Sequence, residues 1–233
     1  MSNKCIAIIP ARGGSKRIPR KNIRPFLGQP IIKYSIDAAL TAGIFDEIMV
    51  STVDKYIAEI AKSFRAEIPF FRSEITSGDR APLADVIEEV IFEYKKRGKY
   101  FEYFCCILAT APFILSERLV QAMQLLKKSG ADAIIPVVRY GYPIQRALKI
   151  ENNILKMVWP ENYEKFSNDL MPTYHDCGQF YCMRTESFLQ QKKLFAEHTI
   201  PIEISESEVQ DIDNEEDWKV AELKYKILKD IKK

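Results

Sequence analysis

Apolar and polar positions alternate along this chain in two rhythms. Short, almost unbroken apolar runs recur at "CIAIIP" (5–10), "EIMVST" (47–52), "YFCCILAT" (103–110) and "DAIIPVV" (132–138). Such runs read as strands buried on both faces. Between them lie segments with helical spacing. "PIIKYSIDAALTAG" is stopped by Gly43, and "DKYIAEIAKSF" is capped by Asp54. "PLADVIEEVIFEYKKRG" runs from Pro82 to Gly98, and "SERLVQAMQLLKKSG" carries Ser116 at its cap. "AEIPFF" (66–71) adds a short third strand. The alternation predicts an α/β fold: a doubly wound, mostly parallel sheet with helices on both faces.

The rhythm breaks after Arg139. From Arg139 to Pro172 no long amphipathic helix is visible, and "RALKIENNILKMV" reads as a β-hairpin turning at Asn152–Asn153. This stretch is expected to be a small β-rich excursion from the sheet. "GQFYCM" (178–183) then resumes as a strand and "IPIEIS" (200–205) as a short late one. "NEEDWKVAELKYKILKDIKK" forms the closing helix, acidic in its first turn and basic in its last. No repeat or linker divides the 233 residues, so a single domain over 1–233 is expected, with the excursion at about 139–172.

Composition narrows the options. Hydrophobic residues make up 47%, enough for a sizeable core. Basic and acidic residues number 34 and 32, a net charge of +2, which argues against a nucleic-acid or membrane-surface protein. No apolar run approaches a membrane span, and the start lacks the apolar centre of a signal peptide. Five cysteines without a Cys-x-x-Cys pair suit core thiols in a reducing cytoplasm.

The charge is unevenly placed. Arg12, Lys16, Arg17, Arg20, Lys21 and Arg24 crowd into thirteen positions directly after the first strand, in and just beyond "IIPARGGSKRIPRKN" (8–22). A strand that ends in small residues and leads toward a helix is where α/β folds bind phosphate. Gly13 and Gly14 let the backbone approach an anion, Ser15 adds a hydroxyl, and Arg12 and Lys21 reach in from either end. The spacing is neither that of a P-loop nor that of G-x-G-x-x-G, so an ordinary ATPase or nicotinamide enzyme is disfavoured. A solvated basic loop is the plainer alternative.

The segment resembles the signature loop of the cytidylyltransferases that activate nine-carbon keto sugar acids, the CMP-sialate synthetases or acylneuraminate cytidylyltransferases. "YPIQRAL" (142–148), "WPENY" (159–163) and "YHDCGQFY" (174–181) resemble the branch acting on pseudaminic acid. The likeness runs from about Ile6 to about Trp218. It implies a nucleotide-diphospho-sugar transferase-like, Rossmann-like sheet and transfer of CMP from CTP to the anomeric hydroxyl of the keto acid, with pyrophosphate released. The same reaction on N-acetylneuraminate or legionaminate is an alternative. A catalytically degenerate nucleotide-binding protein is another.

The resemblance assigns roles residue by residue. Arg12 and Lys21 bind phosphates and stabilise charge; Ala11, Gly13, Gly14, Ser15 and Thr110 line the nucleotide, and Asn22 meets its cytidine side. Asp211 and Asp213 in "DIDNEEDW" are the implied Mg²⁺ ligands, and two residues apart in an extended segment both can face one side. Asp213 or Asn214 as a plain helix cap is the alternative there. His175, Asp176, Gln179 and Tyr181 are implied sugar contacts, joined from the excursion by Gln145 and Arg146. The implied assembly is a homodimer held by the excursion, with shared active sites. Two places depart from the family pattern: Leu108 and Ala109 precede Thr110, and Ala81 and Leu83 stand where hydroxyls are expected.

Overall fold

In the computed structural model, which describes residues 4–78 and 81–231, the four apolar runs become strands of one seven-stranded sheet, three inside it and "EIMVST" at its edge. In chain order the strands are β1 (Cys5–Pro10), β2 (Pro25–Phe26), β3 (Gln29–Pro30), β4 (Glu47–Ser51), β5 (Tyr103–Ile107) and β6 (Ala133–Arg139). Next come β7 (Leu148–Glu151), β8 (Ile154–Met157), β9 (Tyr174–Asp176), β10 (Phe180–Arg184) and β11 (Thr199–Glu203). The sheet order is β11-β6-β10-β5-β1-β4, with β9 also pairing β6. β1 is parallel to both β4 and β5, and β11 to β6, while β9 and β10 run antiparallel. The expected mostly parallel sheet is found. The reversal in "YHDCGQFY" is a property of the connection, which hydrophobic rhythm does not report.

The helices are α1 (Ile31–Ala42), α2 (Lys55–Ser63), α3 (Leu83–Lys96), α4 (Ser116–Ser129), α5 (Thr185–Gln191) and α6 (Glu215–Ile231). Along β1, Cys5, Ala7 and Ile9 join a core with α1, α2 and α4, whereas Ile6 and Ile8 join one with α3 and α5. That two-sided burial is what the unbroken apolar runs encode. All five cysteines are buried and free, as core residues. No helix among the described residues is long and apolar enough to cross a membrane.

Three local expectations change. "AEIPFF" does not form a strand: Glu67 makes one bridge to Met49 at the sheet edge, and Pro69, lacking an N–H, cannot extend the ladder. Ser116 does not cap α4. Leu115 holds the extended cap position (φ −97°), and the Ser116 hydroxyl donates to Glu117 instead. α5 was not expected from the sequence, its seven residues being too few for a clear period. The hairpin is as expected: β7 and β8 pair as a separate two-stranded sheet, and Asn152 and Asn153 take φ of 52° and 61°, the left-handed pair of a type I′ turn.

A third core sits off the sheet, beside the cation-rich loop. Phe26 is fully buried, edge-to-face against Tyr34, Trp218 and Tyr225, and it shares this cluster with Ile18 and Ile212. α6 is thereby fastened to the loop, although some 190 residues separate them in sequence. Replacing Phe26 with Ala is expected to cost about 3–5 kcal/mol of stability, the usual loss for a buried aromatic ring. Urea titration followed by circular dichroism checks this; a loss below about 1 kcal/mol would mean that α6 is held by other contacts.

Candidate functional site

The parallel strands all end on one edge of the sheet, the edge where open α/β folds bind ligands. The loop after β1 occupies it. Ala11 is buried and its N–H donates to the Ser51 carbonyl, so the loop starts as a continuation of the sheet. Ile18, fully buried in the third core, pins its middle. Arg20 takes a left-handed conformation (φ 52°), and a single 3₁₀ turn, Lys21–Ile23, ends it. The Asn22 side chain donates back to the Arg12 carbonyl at 2.9 Å, closing the loop on itself.

Gly13 is dictated by space. A Cβ built there would lie 2.5 Å from Asp54 Oδ2. Asp54 is the α2 cap, accepting from the N–H groups of Tyr56 and Ile57, and it also accepts from Arg20 at 3.2 Å. Only a residue without a side chain lets the loop lie against that carboxylate.

The loop encloses a cavity of about 370 Å³ lined by Arg12, Gly14, Ser15, Lys16, Arg17, Lys21, Asn22, Thr110 and Asp213. Thus the expected phosphate-binding side chains and one expected metal carboxylate meet in one place. Burial pulls the Lys21 ammonium below its ordinary range, opposed first by Asp213 and then by Asp211. Lys21 Nζ is 3.8 Å from Asp213 Oδ1, and Arg17 Nη2 is 2.8 Å from the same oxygen. Two further loop cations are structural. Arg20 binds Asp54 and lies over Tyr56; Arg24 pairs with Glu215 at 2.5 Å and lies over Trp218.

Asp211 and Asp213 flank Ile212, which is buried at 1% exposure. Sinking the middle residue of an extended triplet turns its two neighbours outward together. Asn214, and not Asp213, caps α6: its Oδ1 accepts from the N–H groups of Glu216 and Asp217, while Asp217 Oδ2 accepts from those of Asp213 and Asn214. This reciprocal capping box leaves both Asp211 and Asp213 side chains outside the capping bonds. Asp213 on the cavity wall with Asp211 two residues away suits a hard divalent cation that takes its remaining ligands from phosphate and water. Among the described residues no group of three His, Cys, Asp or Glu could hold a metal alone.

A second cavity of about 360 Å³ adjoins the first through Arg12, Asn22 and Thr110. Its further walls are Pro10, Arg72, Thr76, Gly78, Ala81, Leu83, Val86, Leu108 and Ala109. The departures from the family pattern, Ala81, Leu83, Leu108 and Ala109, all face this space. Arg72 and Thr76 were not expected from the sequence. Arg72 is buried, donates to the Ser51 hydroxyl at 3.0 Å and the Ser51 carbonyl at 2.5 Å, and is brought down to about 10 by burial, with Glu89 opposing. An arginine directly after the apolar "IPFF" is the signal that could have marked it.

"YHDCGQFY" sits at the β9–β10 junction beyond the end of β5. Tyr181 donates to Asp176 Oδ2 at 2.7 Å, and the Gly178 N–H to Asp176 Oδ1 at 2.8 Å. Gly178 (φ 61°) makes the kink that separates the two strands on β6. Burial, then the Asp176 hydrogen bond, raise the Tyr181 phenol. Gln179 is buried, its amide donating to the Glu208 carbonyl. The His175 ring lies tilted by 55° against that of Tyr140, with centroids 4.9 Å apart. Gln145 and Arg146 belong to the excursion and donate to the Met171 and Lys165 carbonyls; neither lines the two cavities.

Comparison with known proteins places the chain among relatives. A family model described as "Cytidylyltransferase" matches residues 6–229. A pseudaminic acid cytidylyltransferase of Campylobacter jejuni is 39% identical over 228 residues, 97% of each chain. A CMP-N,N'-diacetyllegionaminic acid synthase of Legionella pneumophila is 29% identical over 221 residues, 94% of this chain and 95% of its own. A CMP:2-keto-3-deoxy-manno-octonic acid synthetase solved with CTP superposes with a TM-score of 0.67 at 16% identity, covering 97% of this chain and 99% of the other.

The contact at Gly13 gives a direct test of the loop geometry. Gly13→Ala should lower stability by about 1–3 kcal/mol, the usual range for overpacking. Combined with Asp54→Ala, the two losses should sum to less than their separate values, because the second change removes the obstacle. Losses that add within about 0.5 kcal/mol would show that loop and cap do not touch.

Proposed function

Because the chain belongs to the cytidylyltransferase family, we propose that it joins CMP from CTP to the anomeric hydroxyl of a nine-carbon 2-keto sugar acid, pseudaminic acid first, releasing pyrophosphate. The observation that carries this reading is the cavity in which Arg12, Lys21 and Asn22 converge with Asp213, Gly14 and Ser15. The 39% identity to the Campylobacter relative supports the choice of sugar.

The residues fit the demands of the reaction. The sugar hydroxyl oxygen bonds to the α-phosphorus, the bond from that phosphorus to the α,β-bridging oxygen breaks with its electron pair leaving on pyrophosphate, and the hydroxyl proton passes to water. Such transfer needs in-line positioning and neutralised charge more than a protein nucleophile. Arg12 and Lys21 bind the phosphates and offset charge that grows on the departing group. Gly14 and Ser15 approach the same oxygens. The second cavity receives the cytidine side, where Arg72, Thr76, Asn22 and Thr110 supply the polar contacts and Leu83 and Leu108 the apolar ones. Asp176 and Tyr181, hydrogen-bonded to each other beyond the end of β5 and outside the lining of both cavities, are the proposed contacts to the sugar acid.

Asp211 and Asp213 would hold Mg²⁺, which when bound draws off phosphate charge. The Arg17–Asp213 pair is exposed, and such pairs contribute little, so Asp213 is readily given up to a cation. With CTP and Mg²⁺, purified protein should convert pseudaminic acid to its CMP adduct, read by mass spectrometry. EDTA should abolish turnover, and Asp211→Ala and Asp213→Ala should each lower kcat by at least about a hundredfold. Full turnover in EDTA would refute the metal assignment; a panel of keto acids in which pseudaminic acid is not converted would refute the sugar.

The excursion is proposed as a homodimer contact. Tyr142, Ile150, Leu155, Tyr163, Phe166 and Met171 are each more than half exposed on it, a concentration of apolar surface that a two-fold partner would cover. The free, buried thiols and the use of CTP suit the cytoplasm. Gln145 and Arg146, which line neither the first nor the second cavity of their own chain, would serve the partner's sugar site. Mixing Arg12→Ala with a Gln145→Ala/Arg146→Ala chain, each impaired alone, should restore activity to about a quarter of wild type, since half the dimers are mixed and each has one intact site. No rescue would place each site within one chain.

A further inference from the structure

The wall of the second cavity is built from chain without regular secondary structure. Residues 72–78 cross from the end of β4 toward α3 in bends and turns. At the start of the crossing Arg72 is tied to Ser51 and Thr52. At the other end a single side chain gathers the turn. Glu89 accepts from the Ser73 N–H at 2.6 Å, the Ser73 hydroxyl at 2.9 Å, and the Thr76 hydroxyl. On α3 the buried residues Val86, Ile87, Val90 and Tyr94 serve the core, and Glu89 faces the crossing segment. Thr76 is buried at 7% exposure and lines the cavity, as do Arg72 and Gly78.

We propose that Glu89 is a positioning residue for the nucleotide: its carboxylate clamps the Arg72–Gly78 segment to α3 and so sets the wall against which the cytidine half of CTP is held. This rests on the function proposed above. A carboxylate with two oxygens can accept all three bonds at once, which an amide cannot, since half of it donates. Its negative charge also faces the buried Arg72 guanidinium, which carries positive charge into the cavity next to Arg12. Removing the carboxylate leaves the Thr76 hydroxyl without its acceptor and frees the turn, while the catalytic cations and carboxylates of the first cavity stay in place.

The test is a split between substrates. Wild type is first titrated with CTP by calorimetry and assayed with CTP and the keto acid. CTP binding without turnover would fault the proposed reaction and leave Glu89 to be judged by the CTP dissociation constant; no CTP binding would refute both. Glu89→Gln should raise the KM for CTP about tenfold, the worth of one lost hydrogen bond to a charged group. The kcat and the KM for the keto acid should stay within about twofold, which general loss of packing would not allow. Thr76→Val should raise the KM for CTP in the same direction, and the double variant should show less than the product of the two effects, because the Thr76 hydroxyl bonds to the same side chain that Glu89→Gln alters. An unchanged KM for CTP in folded Glu89→Gln, or effects that multiply in the double variant, would overturn the proposal. Should Glu89→Gln fail to fold, Thr76→Val decides it: an unchanged KM for CTP there overturns it equally.

Discussion

Six cations within thirteen residues repel one another, and the loop keeps its shape because carboxylates from distant parts of the chain meet them. Asp54 meets Arg20, Asp213 meets Arg17 and Lys21, and Glu215 meets Arg24. None of these pairs is strong alone, since each is partly exposed. Their effect lies in distribution. Arg20 and Arg24 are drawn outward onto α2 and α6, with aromatic rings beneath them, while Arg12 and Lys21 line the cavity. The loop thus separates cations that hold structure from cations that face a ligand. The charge that the first cavity presents depends on that separation.

The same constraint explains why the third core exists. Ile18 and Ile212, both almost wholly buried, sit in one apolar cluster with Phe26 and Trp218. One of these isoleucines interrupts the basic loop and the other interrupts the acidic triplet. Burying both brings opposite charges to the two sides of one cavity without placing any charge in the core. The hydrophobic effect places the two backbone segments side by side, and the ion pairs then fix where the loop side chains point.

Much of this was legible in the sequence. The two-sided strands, the Asn152–Asn153 hairpin, the Asp54 cap and the meeting of the loop with Asp213 come from period, turn chemistry, charge and family likeness. What escaped depends on partners far apart in the chain. Arg72 looks like any surface arginine until Ser51 is seen to accept from it. Glu89 looks like one of the exposed acids of an amphipathic helix until the turn at Ser73–Thr76 folds onto it. Ser116 read as a cap because residue type favours it, but the backbone placed Leu115 in the extended conformation that a cap requires. The strand reversal at β9–β10 is likewise a matter of tertiary connection, with the kink at Gly178 as its one local mark.

The fastening of α6 to Phe26 also orders events in time. A ribosome adds roughly 5–20 residues each second, so about ten to forty seconds pass between the emergence of Ile18 and that of Trp218. During that interval β1, β4 and β5 can pair, yet Phe26 and Ile18 have no aromatic neighbour from α6, and Lys21 and Arg24 have neither Asp213 nor Glu215. The first cavity, which needs Asp213 for its lining, is therefore among the last parts of the molecule to be completed. A chain released a few dozen residues early would keep most of its sheet and leave both the first cavity and the third core without their α6 side.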